Sequence, residues 1–174
     1  MTRSRDNADL GDSYGVLGVG VTFPAGAIVK WEHNPTTPVA TQGADTTYTD
    51  LTGSSVSYTP ATGATYVVYE YSTTVSGSGG GNELMIQLLK FYYDGSMVAN
   101  TNWHLRMDGS IGGRGYQFLK FVLPAWSGAK TMSVKYRAWH ATDYECQYHV
   151  SLYSGDATTT DAFTKIYQTA YSVM

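Results

Sequence analysis

Short runs of alternating apolar and polar residues, each closed by turn-forming residues, follow one another along most of this chain. Side chains of a strand point alternately to the two faces of a sheet, so these runs predict strands that are buried on one face. About nine runs recur at intervals of roughly ten residues, at 27–33, 55–59, 65–75, 84–93, 102–107, 116–123, 131–139, 144–153 and 162–173. This spacing favours an antiparallel β-sandwich or barrel over βαβ units.

The composition and length agree with a single β domain. The chain has 174 residues, 15 Tyr and 19 Gly, and only 14% of its residues are charged. Aromatic residues pack well on a pleated surface, and glycines suit the turns between strands. We expect a sandwich domain over residues 21–174, preceded by an arm at residues 1–20 that has scattered charges and no alternation.

Several functional classes are disfavoured by charge and by simple motifs. The net charge is −3 without a basic run, whereas nucleic-acid binding needs a cationic surface. No stretch reaches the length of a transmembrane helix. The glycine-rich stretches at 76–82 and 109–115 match no phosphate-binding motif, so we interpret them as loops between strands and expect no cofactor.

The stretch TMSVKYRAWHATDYECQYHVSLYSG (131–155) contains the chain's one cysteine, Cys146, and two histidines. Alternation along the predicted strand places Cys146 on the apolar face with Tyr148, and His149 on the opposite face. A thiol–imidazole dyad needs hydrogen-bond contact between the two side chains, so we predict no such dyad and no catalytic residues.

Two carboxylates share the predicted outward face with this histidine. Asp143, Glu145 and His149 at strand spacing fit either a metal site or the solvated face of an amphipathic strand. Of the two, we favour the solvated face and predict no metal site.

Aromatic residues are the remaining candidates for ligand contact. Trp31 shares its face with Val29, and Trp103 shares its face with Leu105, so we expect both indoles in the core. Trp126 follows Pro124 in a loop, and Trp139 lies at a strand end. Trp126 and Trp139 are therefore the better candidates for exposed ligand-binding residues, and the alternative, which we favour, is packing in the core or at a subunit interface.

The run LMIQLLKFYY (84–93) is apolar on both faces, with Leu84, Ile86, Leu88 and Tyr92 on one and Met85, Leu89, Phe91 and Tyr93 on the other. In a two-layer sandwich, one face covers the core and the other normally meets water. A loop of the same chain or a second subunit could cover the second face; of the two we favour a second subunit, so that the protein is a homo-oligomer.

Three stretches resemble the head domains of phage tail-fibre, receptor-binding and related virion appendage proteins. They are FPAGAIVKW (23–31), TTYTDLTGSSVSYTPATGATYVVYEYS (46–72) and FTKIYQTAYSVM (163–174). The resemblance implies a jelly-roll-like β-sandwich, a homotrimer, and attachment to other virion proteins through the N-terminal segment. In this chain that segment carries Arg3, Arg5, Asp6, Asp9 and Leu10.

Together these features predict a non-enzymatic structural protein of a phage virion. A short tail fibre, a tail adaptor and a capsid-decorating protein all fit, because only about twenty residues precede the head domain. The alternative is a module that recognises glycans on the host surface through its exposed tryptophans. The sequence predicts neither nucleic-acid binding nor membrane insertion.

Overall fold

A computed structural model describes residues 23–36, 47–78, 84–98, 103–108, 114–138, 145–149 and 166–174. At residues 36, 76–78, 84–87, 103–108, 114, 138 and 145–147, this description covers the backbone only. These segments contain eleven strands in two sheets and no helix. No segment of the described residues therefore has the character of a membrane-spanning helix.

The first sheet consists of β1 (Ile28–Thr36), β4 (Tyr66–Ser78), β8 (Arg114–Pro124), β10 (Glu145–Tyr148) and β11 (Ile166–Val173). β1 pairs with β11, β11 with β4, and β4 with β8. β10 continues beyond β11 along the same side of β4. The stretch predicted as a loop from residue 76 therefore begins as strand, because β4 extends to Ser78 to pair with β10.

The second sheet consists of β2 (Thr49–Asp50), β3 (Val56–Tyr58), β5 (Leu84–Tyr93), β6 (Ser96–Met97), β7 (Trp103–Asp108) and β9 (Lys130–Ala138). β9 pairs with β5 on one side and with β2 and β3 on the other, while β6 and β7 pair with β5. Every pairing in both sheets is antiparallel, and the two sheets share one core. The predicted jelly-roll-like antiparallel sandwich is confirmed.

A two-residue turn joins β5 to β6, as the Asp-Gly signal after the apolar run predicts. Asp94 has φ of 50° and Gly95 has φ of 78°, and the turn brings Tyr93 opposite Ser96. Positive φ at both central residues gives a turn whose twist matches that of the strands. The local sequence therefore fixes this hairpin.

Aromatic rings from both sheets fill the core. Phe91 of β5 stacks on Phe121 of β8 at a centroid distance of 4.3 Å and lies 5.2 Å from the ring of Tyr69 in β4. The buried hydroxyls of Tyr69 and Tyr71 donate to the backbone carbonyls of Ser54 and Thr52, before β3. These bonds satisfy polar groups that are costly to bury unpaired, and they tie the first sheet to the segment that enters the second.

The prediction that Trp31 lies in the core is wrong: its side chain is 63% exposed. Alternation assigns residues to a common face but does not say which face is buried. A bulge at Val29 sets the register, and the inward position beside Trp31 belongs to Lys30, whose Nζ donates to the carbonyl of Thr59. Because β1 is an edge strand, its inward lysine reaches the rim of the core while the indole faces outward.

Candidate functional site: the outer face of the first sheet

The side of the first sheet that points away from the core presents four rows of four residues, one from each of β1, β11, β4 and β8. We call this surface the outer face. Its rows are Ile28–Val173–Tyr66–Pro124, Trp31–Tyr171–Val68–Val122, His33–Thr169–Glu70–Lys120 and Pro35–Tyr167–Ser72–Phe118. On β8, Tyr116 is the next outward-facing residue after Phe118 and lies just beyond the last row.

Exposed apolar side chains are concentrated on this surface. Of the eight large hydrophobic residues that are exposed in the described part of the chain, all but Met97 belong to it. They are Ile28, Trp31, Tyr66, Tyr116, Phe118, Val122 and Tyr167. Scattered exposed apolar residues are ordinary, but their concentration on one face of a sheet indicates a surface that binds something. The outer face is therefore the candidate functional site.

One row of the outer face, which we call the polar row, carries hydrogen-bonding groups that satisfy one another. Lys120 Nζ lies 3.0 Å from Glu70 Oε1, and the Tyr171 hydroxyl donates to the same carboxylate oxygen at 3.1 Å. These neighbours raise the pKa of Lys120, chiefly through the hydrogen bond to Glu70. His33 Nδ1 lies 3.0 Å from Thr169 Oγ1. Lys120 and Glu70 of this row are thus already paired with each other.

Aromatic rings line the β1 side of the outer face. The ring of His33 lies between those of Trp31 and Tyr167, with both centroid distances 5.7 Å and both interplanar angles 19°. Beside this ladder is an open depression of about 640 Å³, lined by Ile28, Trp31, His33, Glu70, Thr169 and Tyr171. This half of the outer face thus combines stacked aromatic rings with the polar side chains of Glu70 and Thr169.

The opposite face of the sandwich, on the second sheet, is adapted to water in its described part. Lys90 Nζ and the Arg137 guanidinium lie over the ring of Tyr48, at 4.6 Å and 5.3 Å from its centroid. Lys135 lies over Tyr92 and is 3.3 Å from the carboxylate of Asp50. Cations that cover aromatic rings keep a charged surface towards solvent.

The predicted second apolar face of 84–93 is not an exposed apolar surface in its described part. Leu88 is buried, and Tyr92 lies beneath Lys135. The side chains of 84–87 lie outside the described residues. The apolar surface that faces solvent in the described structure is thus on the other sheet, while the predicted self-association itself stays a prediction.

Trp126 lies at one end of the sandwich. Its ring contacts Tyr93 and Tyr58 edge-on, at centroid distances of 5.0 Å and 6.4 Å, and it is half-buried. It lines a pocket of about 450 Å³ together with residues 59–64, Ala125, Ser127 and Gly128. Its Nε1 has no hydrogen-bond partner in the described part of the chain. The ligand-binding role of Trp126 stays a prediction, with part of the ring already engaged by the core.

The prediction that His149 faces away from the core is wrong. Strand β10 ends at Tyr148, and His149 adopts φ of 67°, which breaks the alternation and turns the side chain inward. The imidazole is fully buried, with Nδ1 2.8 Å from Thr73 Oγ1. Burial lowers the pKa of His149 from 6.5 to about 4, so the ring is neutral at pH 7. His149 therefore does not lie on the solvated face proposed for it.

Several predicted residues lie outside the description. They are Asp143, Trp139 and the arm residues Arg3, Arg5, Asp6, Asp9 and Leu10. The side chains of Trp103, Glu145 and Cys146 also lie outside the described part. Among the residues that are described, no three His, Cys, Asp or Glu side chains are grouped as metal ligands would be. The roles assigned to the arm and to Trp139 stay predictions.

No protein-family model matches the chain, and no curated protein matches it. The fold has loose likenesses among solved structures. A chain in the structure of the Gx strain of infectious bursal disease virus is 11% identical with a TM-score of 0.41, and the alignment covers 83% of this chain and 36% of that one. The C-terminal domain of EclA, a sugar-binding protein, is 12% identical with a TM-score of 0.34, over 84% and 93% of the two chains. This chain thus spans little more than a third of the length of the viral chain.

Proposed function

We propose that this chain is a structural protein of a phage virion, a short tail fibre, tail adaptor or capsid-decorating protein, which works by binding and performs no catalysis. The observation that supports it best is the outer face, where seven of the eight exposed large hydrophobic residues of the described structure lie together. Such a patch is typical of a protein that is buried in an assembly. The resemblance of residues 23–31, 46–72 and 163–174 to virion appendage proteins supports the same function.

In this proposal the two parts of the chain divide the work. The arm at residues 1–20 attaches the protein to other virion proteins, and the sandwich presents its outer face to a further partner. The polar row contains a lysine and a carboxylate that are already paired, so covering it leaves no isolated charge. This is the arrangement expected of an assembly surface.

Particles of the phage that carries the gene provide the test. We expect a specific antibody against the protein, detected by gold labelling in electron microscopy, to mark purified virions at the tail or on the capsid. When the phage gene lacks the codons for residues 1–20, the truncated protein should still be made in the host, but the virions should no longer be labelled. Absence of the full-length protein from purified virions, with abundant protein in the lysate, would contradict the proposal.

The pocket at Trp126 favours a second candidate function, recognition of a glycan on the host surface. The pocket combines an indole with threonine and serine side chains, and indole rings stack on the apolar faces of sugars. We expect binding on a glycan array to be lost in Trp126→Ala and kept in Trp31→Ala, whose indole lies on the other surface. Equal binding by both variants would place the glycan site elsewhere, and no binding by the native protein would leave the structural function alone.

A further inference from the structure

The two outward surfaces of this sandwich differ in how they are suited to water. The described part of the second sheet shields its tyrosines with Lys90, Lys135 and Arg137. The outer face leaves Trp31, Phe118 and Val122 at 63%, 56% and 57% exposure. We propose that the outer face is covered by the outer face of a second copy of this chain.

The charges of the outer face allow this burial. Lys120 and Glu70 form an ion pair at 3.0 Å, and the Tyr171 hydroxyl bonds to both residues. A lone buried charge is strongly destabilising, whereas a pair with additional hydrogen bonds is tolerated. A partner of the same sequence adds no net charge to the interface, since its own polar row is paired in the same way.

The order of the rows selects the direction of the symmetry axis. When the axis runs parallel to the strands, each residue meets residues at its own height, so the polar row of one copy faces the polar row of the other. An axis across the strands reverses the rows and places Glu70 and Lys120 against the row of Trp31 and Val122. That arrangement buries charges against apolar groups, so the axis parallel to the strands is favoured.

The same axis brings bulky side chains against smaller ones. It places β1 of one copy opposite β8 of the next, and β11 opposite β4. Within the row of Trp31, this pairs the indole with Val122 and the ring of Tyr171 with Val68. Large side chains that meet small ones can interdigitate, as packed cores require. The outer face is thus complementary to itself in shape, while its polar row meets the polar row of the partner.

The size of the outer face is adequate for a stable contact. Four strands at about 4.8 Å spacing and four rows at about 6.8 Å give a projected area of roughly 500 Å². Projecting side chains expose more surface than this flat estimate, which brings the area near the roughly 800 Å² per partner of a standard interface. This inference goes beyond the proposed function, because a virion protein is defined by its place in the particle and not by self-association.

Light scattering coupled to size-exclusion chromatography tests the inference at micromolar concentration. Because the axis pairs two copies, we expect the native protein to have twice the mass of one chain, which is 19.0 kDa. The double variant Phe118→Glu/Val122→Glu should weaken association on the order of 100-fold or more, because it brings carboxylates into the contact. In the isolated subunit these glutamates flank Lys120 on an exposed surface, so circular dichroism should show an unchanged fold.

Met97→Glu is the matched control, since it changes the one exposed large hydrophobic residue of the described structure that lies away from the outer face. Its mass should equal that of the native protein. A monomeric native protein, or an oligomer that survives the double variant, overturns the inference. A monomer found on virions refutes the interface and leaves the proposed function intact. An oligomer that is absent from virions supports the interface and refutes the proposed function.

Discussion

Phe91→Ala is expected to lower the free energy of unfolding by about 3–5 kcal/mol. The ring is fully buried, stacks on Phe121 at 4.3 Å and lies 5.2 Å from Tyr69, so it joins the second sheet to two strands of the first. Truncation removes both contacts and leaves a cavity between the sheets, which rigid strands fill poorly. Urea unfolding followed by circular dichroism at fixed protein concentration measures the change.

Met97→Ala provides the control for this experiment, because that side chain is 48% exposed. A substitution at such a position typically changes stability by no more than about 0.5 kcal/mol. If Phe91→Ala costs as little as Met97→Ala, the two sheets do not share the aromatic core described above.

His149 makes stability depend on pH. Its folded pKa is about 4 and its unfolded pKa is 6.5, so above pH 6.5 the ring is neutral in both states and its burial costs no proton. As the pH falls below 6.5, the unfolded state binds a proton that the folded state does not, and stability falls until about pH 4. A difference of about 2.5 between the two pKa values corresponds to roughly 3 kcal/mol lost across this range.

His149→Asn separates this loss from that caused by carboxylates that titrate in the same range. Asparagine tolerates the positive φ of this position and does not titrate. Urea unfolding between pH 7 and pH 4 should therefore show a smaller loss of stability for the variant than for the native protein. Parallel curves for the two proteins would mean that the imidazole is not buried in its neutral form.

The fold could be predicted from the sequence because strand alternation and turn chemistry are local signals. Asp94-Gly95 predicts its hairpin, since the positive φ of the turn is a property of those two residues. The apolar positions Met132, Val134 and Tyr136 predict the inward face of β9, and all three are buried. These features need no knowledge of the rest of the chain.

The sequence does not predict the outer face, because the choice of buried side depends on tertiary structure. The face that Trp31 shares with Val29 predicts a core position, but the bulge at Val29 and the edge position of β1 turn the indole to solvent. A usable signal was present in YQFLKFVL (116–123), where apolar residues occupy both parities. Leu119 is buried, while Phe118 and Val122 are exposed. The apolar residues on both faces of β8 therefore indicate an exposed apolar surface, which the sequence predicts at 84–93 instead.

The inward position of His149 differs from the sequence prediction for a related reason. Alternation holds only while the backbone is extended, and φ of 67° immediately after β10 ends it. Histidine is among the residues that adopt this conformation more readily than most. The sequence carries no signal for where a strand stops within an apolar run, so the inward turn of the imidazole required the structure.

The proposed contact requires that a second copy covers the outer face when the protein is assembled. Hydroxyl-radical footprinting with mass spectrometry measures it directly, because tryptophan, tyrosine, phenylalanine and methionine side chains are all labelled according to exposure. We predict that Trp31, Tyr116 and Tyr167 are protected in the assembled native protein relative to the Phe118→Glu/Val122→Glu variant, while Met97 is labelled equally in both. Equal labelling of Trp31, Tyr116 and Tyr167 in the two proteins would show that the outer face stays open to water and would contradict the claim.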